Sequence, residues 1–80
     1  MLNSALAKTL DQLPSETASW LVGHTVEEIE CKLLLLTLAR LRGSRTLAAR
    51  ALGISVRTIR NKIHDYEVAG IAVPSPGDSH

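Results

Sequence analysis

The chain has no phenylalanine, one tryptophan and one tyrosine among its 80 residues. So few aromatics argue against a platform on which bases of a single nucleic-acid strand stack. Cysteine is nearly missing too. A lone Cys31 excludes an internal disulfide and fits a reducing compartment. No CxxC pair and no histidine or cysteine pair at i, i+4 spacing offers a zinc site. The apolar stretch Leu33 to Leu36 is far too short to span a membrane. The first residues carry one lysine and no long apolar run, so no signal peptide is expected. No glycine-rich phosphate loop is present, which places any ATPase domain of a parent protein outside this chain. Neither sign of charge dominates, since nine Lys and Arg face eight Asp and Glu for a net charge of +1. Any basic surface must therefore be local. A chain this short holds one small domain with a modest core, and such chains often gain stability by associating.

The local basic stretch is easy to find. From Arg40 to Lys62 there are seven basic residues and no acid, and Asp65 is the next carboxylate. The same region, Ser44 to Tyr66, reads as two short helices around a glycine turn. Ser44 caps a helix over Arg45–Leu52, Gly53 and Ile54 form the turn, and Ser55 caps a second helix that runs to about Tyr66. Gly53 stands where the chain leaves the first helix at positive φ. Ala48 and Ala49 are small enough for a close helix partner. Leu52, Ile54, Ile59 and Ile63 are the apolar positions that lock two crossed helices onto a third. Ile59, Ile63 and Tyr66 share one side of the second helix, so Arg57, Arg60 and Asn61 face elsewhere. This is the pattern of a helix-turn-helix whose second helix enters the DNA major groove. A solvated basic face on an ordinary helical hairpin is the plainer reading; charge, turn and small-residue spacing together favour DNA.

Ahead of this unit, Leu2, Leu6, Leu10 and Leu13 have helical spacing over residues 1–13, and Pro14 ends that helix. Pro14 to Gly23 reads as a break with an apolar patch at Trp20–Val22, where Trp20 is expected to anchor packing. Thr25 and Glu28 form a capping box for a long helix reaching about Arg42, with Gly43 at its end. Its apolar arc, from Val26, Ile29, Leu33 and Leu36 round to Leu34, Leu35, Leu38 and Leu41, is wider than one packing partner needs. One face covers the helix-turn-helix and the remainder points to a second copy, with Ile29, Leu34, Leu35, Leu38 and Leu41 as the expected interface. The alternative is that the N-terminal helix covers it within one chain. Residues 71–80 hold two prolines and small polar residues and are expected to be mostly disordered, with Ile71 and Val73 packing back briefly. The division is thus 1–24 helix and linker, 25–70 helix-turn-helix domain, 71–80 tail, in an all-α fold.

Catalytic chemistry finds little support. Cys31 lies beside apolar positions of the long helix, and Glu27, Glu28 and Glu30 are explained by the helix N-terminus. No enzymatic activity, metal or cofactor is expected.

The motifs Gly43-Ser44-Arg45-Thr46, Ala48-Ala49, Leu52-Gly53-Ile54-Ser55 and Arg57 to Lys62 resemble the Fis-type helix-turn-helix. This module ends many enhancer-binding activators of the NtrC family, which work with the alternative sigma factor sigma-N. The resemblance spans roughly Val22 to Ile71, and the stretch Leu21 to Glu30 is similar to the flagellar regulators of that family. Ser44 stands where the family usually has asparagine, and both cap a helix. Val56 is apolar where the Fis protein carries a base-contacting arginine, which implies a different sequence preference. The resemblance implies pairing of the long helices in a two-fold dimer, a cytoplasmic protein on the nucleoid, and sigma-N RNA polymerase as a partner through a parent ATPase. The combined reading is a homodimer that binds an inverted repeat in double-stranded DNA. Base reading falls to Ser55, Val56, Arg57 and Arg60. Phosphate contacts fall to Ser44, Arg45, Thr46, Thr58, Asn61 and Lys62. Two rivals are a stand-alone architectural protein that bends DNA and a dimerisation module without DNA binding.

Overall fold

The computed structural model describes residues 12–76, and these form helices α1 (Ser15–Leu21), α2 (Val26–Arg40), α3 (Arg45–Leu52) and α4 (Val56–Val68). Among the described residues there is no strand. The helix expected over 1–13 falls almost wholly outside the described residues.

Helix α1 lies where a break was expected. Pro14, at φ −59°, precedes it and its carbonyl accepts from the Ala18 N–H at 3.0 Å. A proline just ahead of the first turn costs no hydrogen bond and presets φ, so it starts a helix here. Trp20 is not a core anchor. It stays half exposed and stacks on His24, with ring centroids 4.4 Å apart.

Helix α2 starts on the expected capping box. The Thr25 hydroxyl accepts from the Glu28 N–H at 3.0 Å, and the Glu28 carboxylate accepts from the Thr25 N–H at 2.7 Å. Those bonds hold the Glu28 carboxyl below its ordinary range. The helix ends two residues before Arg42. Arg42 is already left-handed at φ +55°, Gly43 follows at φ +78°, and the Gly43 N–H returns to the Leu38 carbonyl at 2.8 Å. Two consecutive left-handed residues turn the chain sharply, which sets α3 across α2.

The core is Leu34, Leu38, Ala48, Ala49, Ile59, Ile63 and Tyr66, with Leu38, Ala48 and Ile59 fully buried. Helix α3 sits between α2 and α4 and touches both. Its Ala48 and Ala49 keep the neighbouring helices close, as their size requires. Burial pushes the Tyr66 phenol above its ordinary pKa. The inward stripe of α2 is Cys31, Leu34, Leu35, Leu38 and Leu41, all in the core or packed against it. Leu34 and Leu38, expected at an interface between chains, are therefore inside this chain's own core. The outward stripe is Val26, Leu33 and Leu36, exposed, with Ile29 half-buried between them. The two stripes lie roughly 150° apart on the wheel and both are apolar, so the apolar pattern alone leaves open which of them faces inward.

Residues 71–76 carry no regular structure but do not leave the surface. Val73 and Pro74 are half-buried, and Val73 packs against the core. This part of the tail was expected to be mostly disordered.

Candidate nucleic-acid interface

The turn between α3 and α4 has the expected form. Gly53 is left-handed at φ +73°, and the Ile54 N–H returns to the Ala49 carbonyl at 3.0 Å. Ser55 caps α4 by accepting from the Thr58 N–H at 3.0 Å, and its hydroxyl donates to the Thr58 Oγ1 at 2.8 Å. Ser44 caps α3 by accepting from the Leu47 N–H at 3.2 Å. These caps fix the start of each helix, and so fix which way each side chain points.

Helix α4 then sorts its residues by angle. Ile59, Ile63 and Tyr66 go to the core. Arg57, Arg60 and Asn61 are exposed, as is His64 one turn beyond. These four follow i, i+3, i+4, i+7 spacing and make one outward stripe. None has a side-chain hydrogen bond or ion pair among the described residues. A guanidinium pair and an amide on an unpartnered stripe match what phosphates and base edges accept. His64 joins the stripe beyond the residues the sequence reading assigns to DNA, and the same helical spacing that places Arg60 places it. Arg50, exposed on α3, is a second basic residue outside the expected contact set. Val56 is half-buried against the core at the first turn of α4.

Two of the expected phosphate ligands already have partners within the chain. Lys62 Nζ lies 3.0 Å from Glu30 Oε1 and ties α4 to α2. That carboxylate raises the Lys62 pKa. Lys62 sits on the flank of α4 toward α2, which is why Glu30 reaches it and why it stands apart from the outward stripe. Arg45 is half-buried, and its Nη1 donates to the carbonyls of Gly43 at 2.8 Å and Pro74 at 2.7 Å. Thr46 is exposed, while Ser44 and Thr58 are half-buried and used in capping. Among the described residues no group of three or more His, Cys, Asp or Glu is placed to hold a metal, and no helix is long and apolar enough to cross a membrane.

Comparison with known proteins agrees with this geometry. The profile of the family described as bacterial regulatory protein, Fis family, matches residues 25–66, more than half of the chain. The chain is 48% identical over 66 residues to the transcriptional regulatory protein FlbD of Caulobacter vibrioides. That match covers 81% of this chain and 14% of FlbD, so the chain spans a small part of that relative's length. No solved structure matches the chain. The matched residues run from the capping box of α2 to the last buried residue of α4, which is the whole helix-turn-helix with the helix that supports it: the chain belongs to the Fis family of bacterial regulatory proteins, whose helix-turn-helix binds double-stranded DNA.

Proposed function

We propose that this chain is the DNA-binding domain of a dimeric bacterial transcription regulator that recognises an inverted repeat. The observation that carries the reading is the outward stripe of α4, where Arg57, Arg60 and Asn61 stand unpartnered opposite a core of Ile59, Ile63 and Tyr66. Helix α4 enters the major groove from its N-terminal end, with Ser55, Val56, Arg57 and Arg60 at base edges. Arg60 takes guanine through paired hydrogen bonds, and Val56 meets a thymine methyl. Ser44, Arg45, Thr46, Thr58 and Asn61 hold the phosphate backbone in register. Asp65 and Glu67 repel the backbone and confine the contact to the first two turns. Lys62 is left out of the phosphate set because its ammonium is paired with Glu30.

Dimerisation is supported by the outward stripe of α2. Val26, Leu33 and Leu36 are 72%, 54% and 52% exposed, and a line of apolar side chains on one helix face is a common mark of an interface. Two copies related by a two-fold axis place their α4 helices in successive major grooves, about 34–36 Å apart. The chain spans 14% of FlbD, and the resemblance to NtrC-family activators supports a parent that couples this domain to an ATPase and to sigma-N RNA polymerase in the cytoplasm.

Binding-site selection followed by sedimentation tests both parts. The selected sequence is expected to be an inverted repeat bound by two chains. Leu33→Glu with Leu36→Glu is expected to give a folded monomer that binds half-sites weakly. Selection that returns no sequence, or a double variant that remains dimeric, contradicts the proposal.

A further inference from the structure

The segment after α4 turns back across the molecule. Gly70 is left-handed at φ +84°, and the Ile71 N–H donates to the Tyr66 carbonyl at 2.9 Å. Val73 packs against the core, which brings the next residues to the corner between α2 and α3. There the Pro74 carbonyl accepts from Arg45 Nη1 at 2.7 Å, and the Ser75 carbonyl fills the space that a Cβ on the buried Gly43 would need. The same Nη1 also donates to the Gly43 carbonyl at 2.8 Å. Arg45 is the first residue of α3. Its Nε and Nη2 have no partner among the described residues, and both of its acceptors are neutral carbonyls. The guanidinium is therefore oriented but its charge is not compensated.

We propose that residues 71–76 act as a strap whose Pro74 carbonyl orients Arg45, so that the free edge of the guanidinium meets a DNA phosphate at the start of α3. This rests on the reading of the helix-turn-helix as DNA-binding and of Arg45 as a phosphate contact. A flexible arginine loses rotamer freedom when it binds, and anchoring one nitrogen beforehand removes much of that cost. The planar fork can hold carbonyls on one nitrogen and a phosphate on the others, which an ammonium cannot do with a fixed direction. Arg45 is thus a phosphate contact only while the strap is docked.

The test uses the 80-residue chain, random-sequence duplex DNA as probe, and fluorescence anisotropy over a salt series. The slope of log K against log salt counts phosphates neutralised, and circular dichroism across the same salt series checks that the folded fraction of each variant stays constant, so that it shifts K without changing the slope. Arg45→Ala is expected to weaken binding about tenfold and to lower the slope by about one. Val73→Ser removes no charge, yet it is expected to lower the slope by nearly as much. Deleting residues 72–80 removes Asp78, which on charge alone strengthens binding, yet it is expected to act like Val73→Ser. Combining Arg45→Ala with either change is expected to cost no more than Arg45→Ala alone. If Val73→Ser and the deletion keep the wild-type slope while Arg45→Ala lowers it, Arg45 contacts phosphate without the strap and the inference falls. If the deletion tightens binding and raises the slope, the strap competes with DNA and the inference also falls. If Arg45→Ala has no effect in any background, the phosphate reading of Arg45 fails with it.

Discussion

Two glycines with the same backbone angle have different surroundings. Gly43 and Gly53 are left-handed at φ +78° and +73°. A Cβ at Gly53 meets nothing within 4 Å, whereas one at Gly43 overlaps the backbone of Ser75 and Pro76. Gly53→Ala therefore carries only the left-handed penalty of about 1 kcal/mol. Gly43→Ala carries that penalty and an overlap with backbone that cannot rotate away, roughly 1–3 kcal/mol more. In a domain of this size, 1 kcal/mol moves Tm by about 4–8 °C. Gly53→Ala is expected to lower Tm by roughly that amount, and Gly43→Ala by on the order of 10–20 °C. Melts followed by circular dichroism at one fixed protein concentration measure both, since association shifts Tm. The decisive control deletes residues 72–80. In that background Gly43→Ala is expected to cost no more than Gly53→Ala. Equal shifts for the two glycines in the full chain, or an unchanged gap after the deletion, refute the packing of the strap on Gly43.

Leu38 is fully buried, so Leu38→Ala is expected to cost about 2–5 kcal/mol by denaturant unfolding, and a smaller loss places Leu38 outside the core. Glu28 has a lowered pKa in the folded chain, so its stabilising effect is present above its ordinary pKa and is lost as pH falls toward the folded value. Tm of the wild type is accordingly expected to fall more steeply than that of Glu28→Ala as pH drops below about 4.5, and parallel curves contradict the capping role. Arg60→Lys is expected to spare non-specific binding and to cost roughly 1–3 kcal/mol on the selected site. An unchanged selected motif for that variant, with a relaxed one for Arg57→Lys, moves base reading to Arg57.

What the sequence made legible was local. The caps at Thr25, Ser44 and Ser55, the turn at Gly53 and the core side of α4 each depend on residues within one or two turns of each other, and all stand as the pattern implied. The α2 stripes were not legible in the same way. Both arcs are leucine-rich, and only the position of α3 decides that Leu34 and Leu38 face inward while Leu33 and Leu36 face out. The Lys62–Glu30 pair and the Arg45–Pro74 bond join residues 32 and 29 positions apart, so no window of local sequence announces them. Proline-rich composition pointed to a loose tail, but a half-buried Val73 and one arginine hold part of it down. Helix α1 is not legible because a proline reads equally as the end of one helix and the start of another, and Pro14 starts one here.

The most direct test of the account is the equilibrium affinity of the chain for double-stranded DNA across a range of salt. Duplexes carrying the selected inverted repeat are to be compared with scrambled duplexes of equal length. The expected result is binding to both that weakens steeply as salt rises, with the inverted repeat favoured by at least about a thousandfold. Failure to bind either duplex at low salt, or an affinity that ignores salt, contradicts the assignment of the Arg57, Arg60 and Asn61 stripe to DNA.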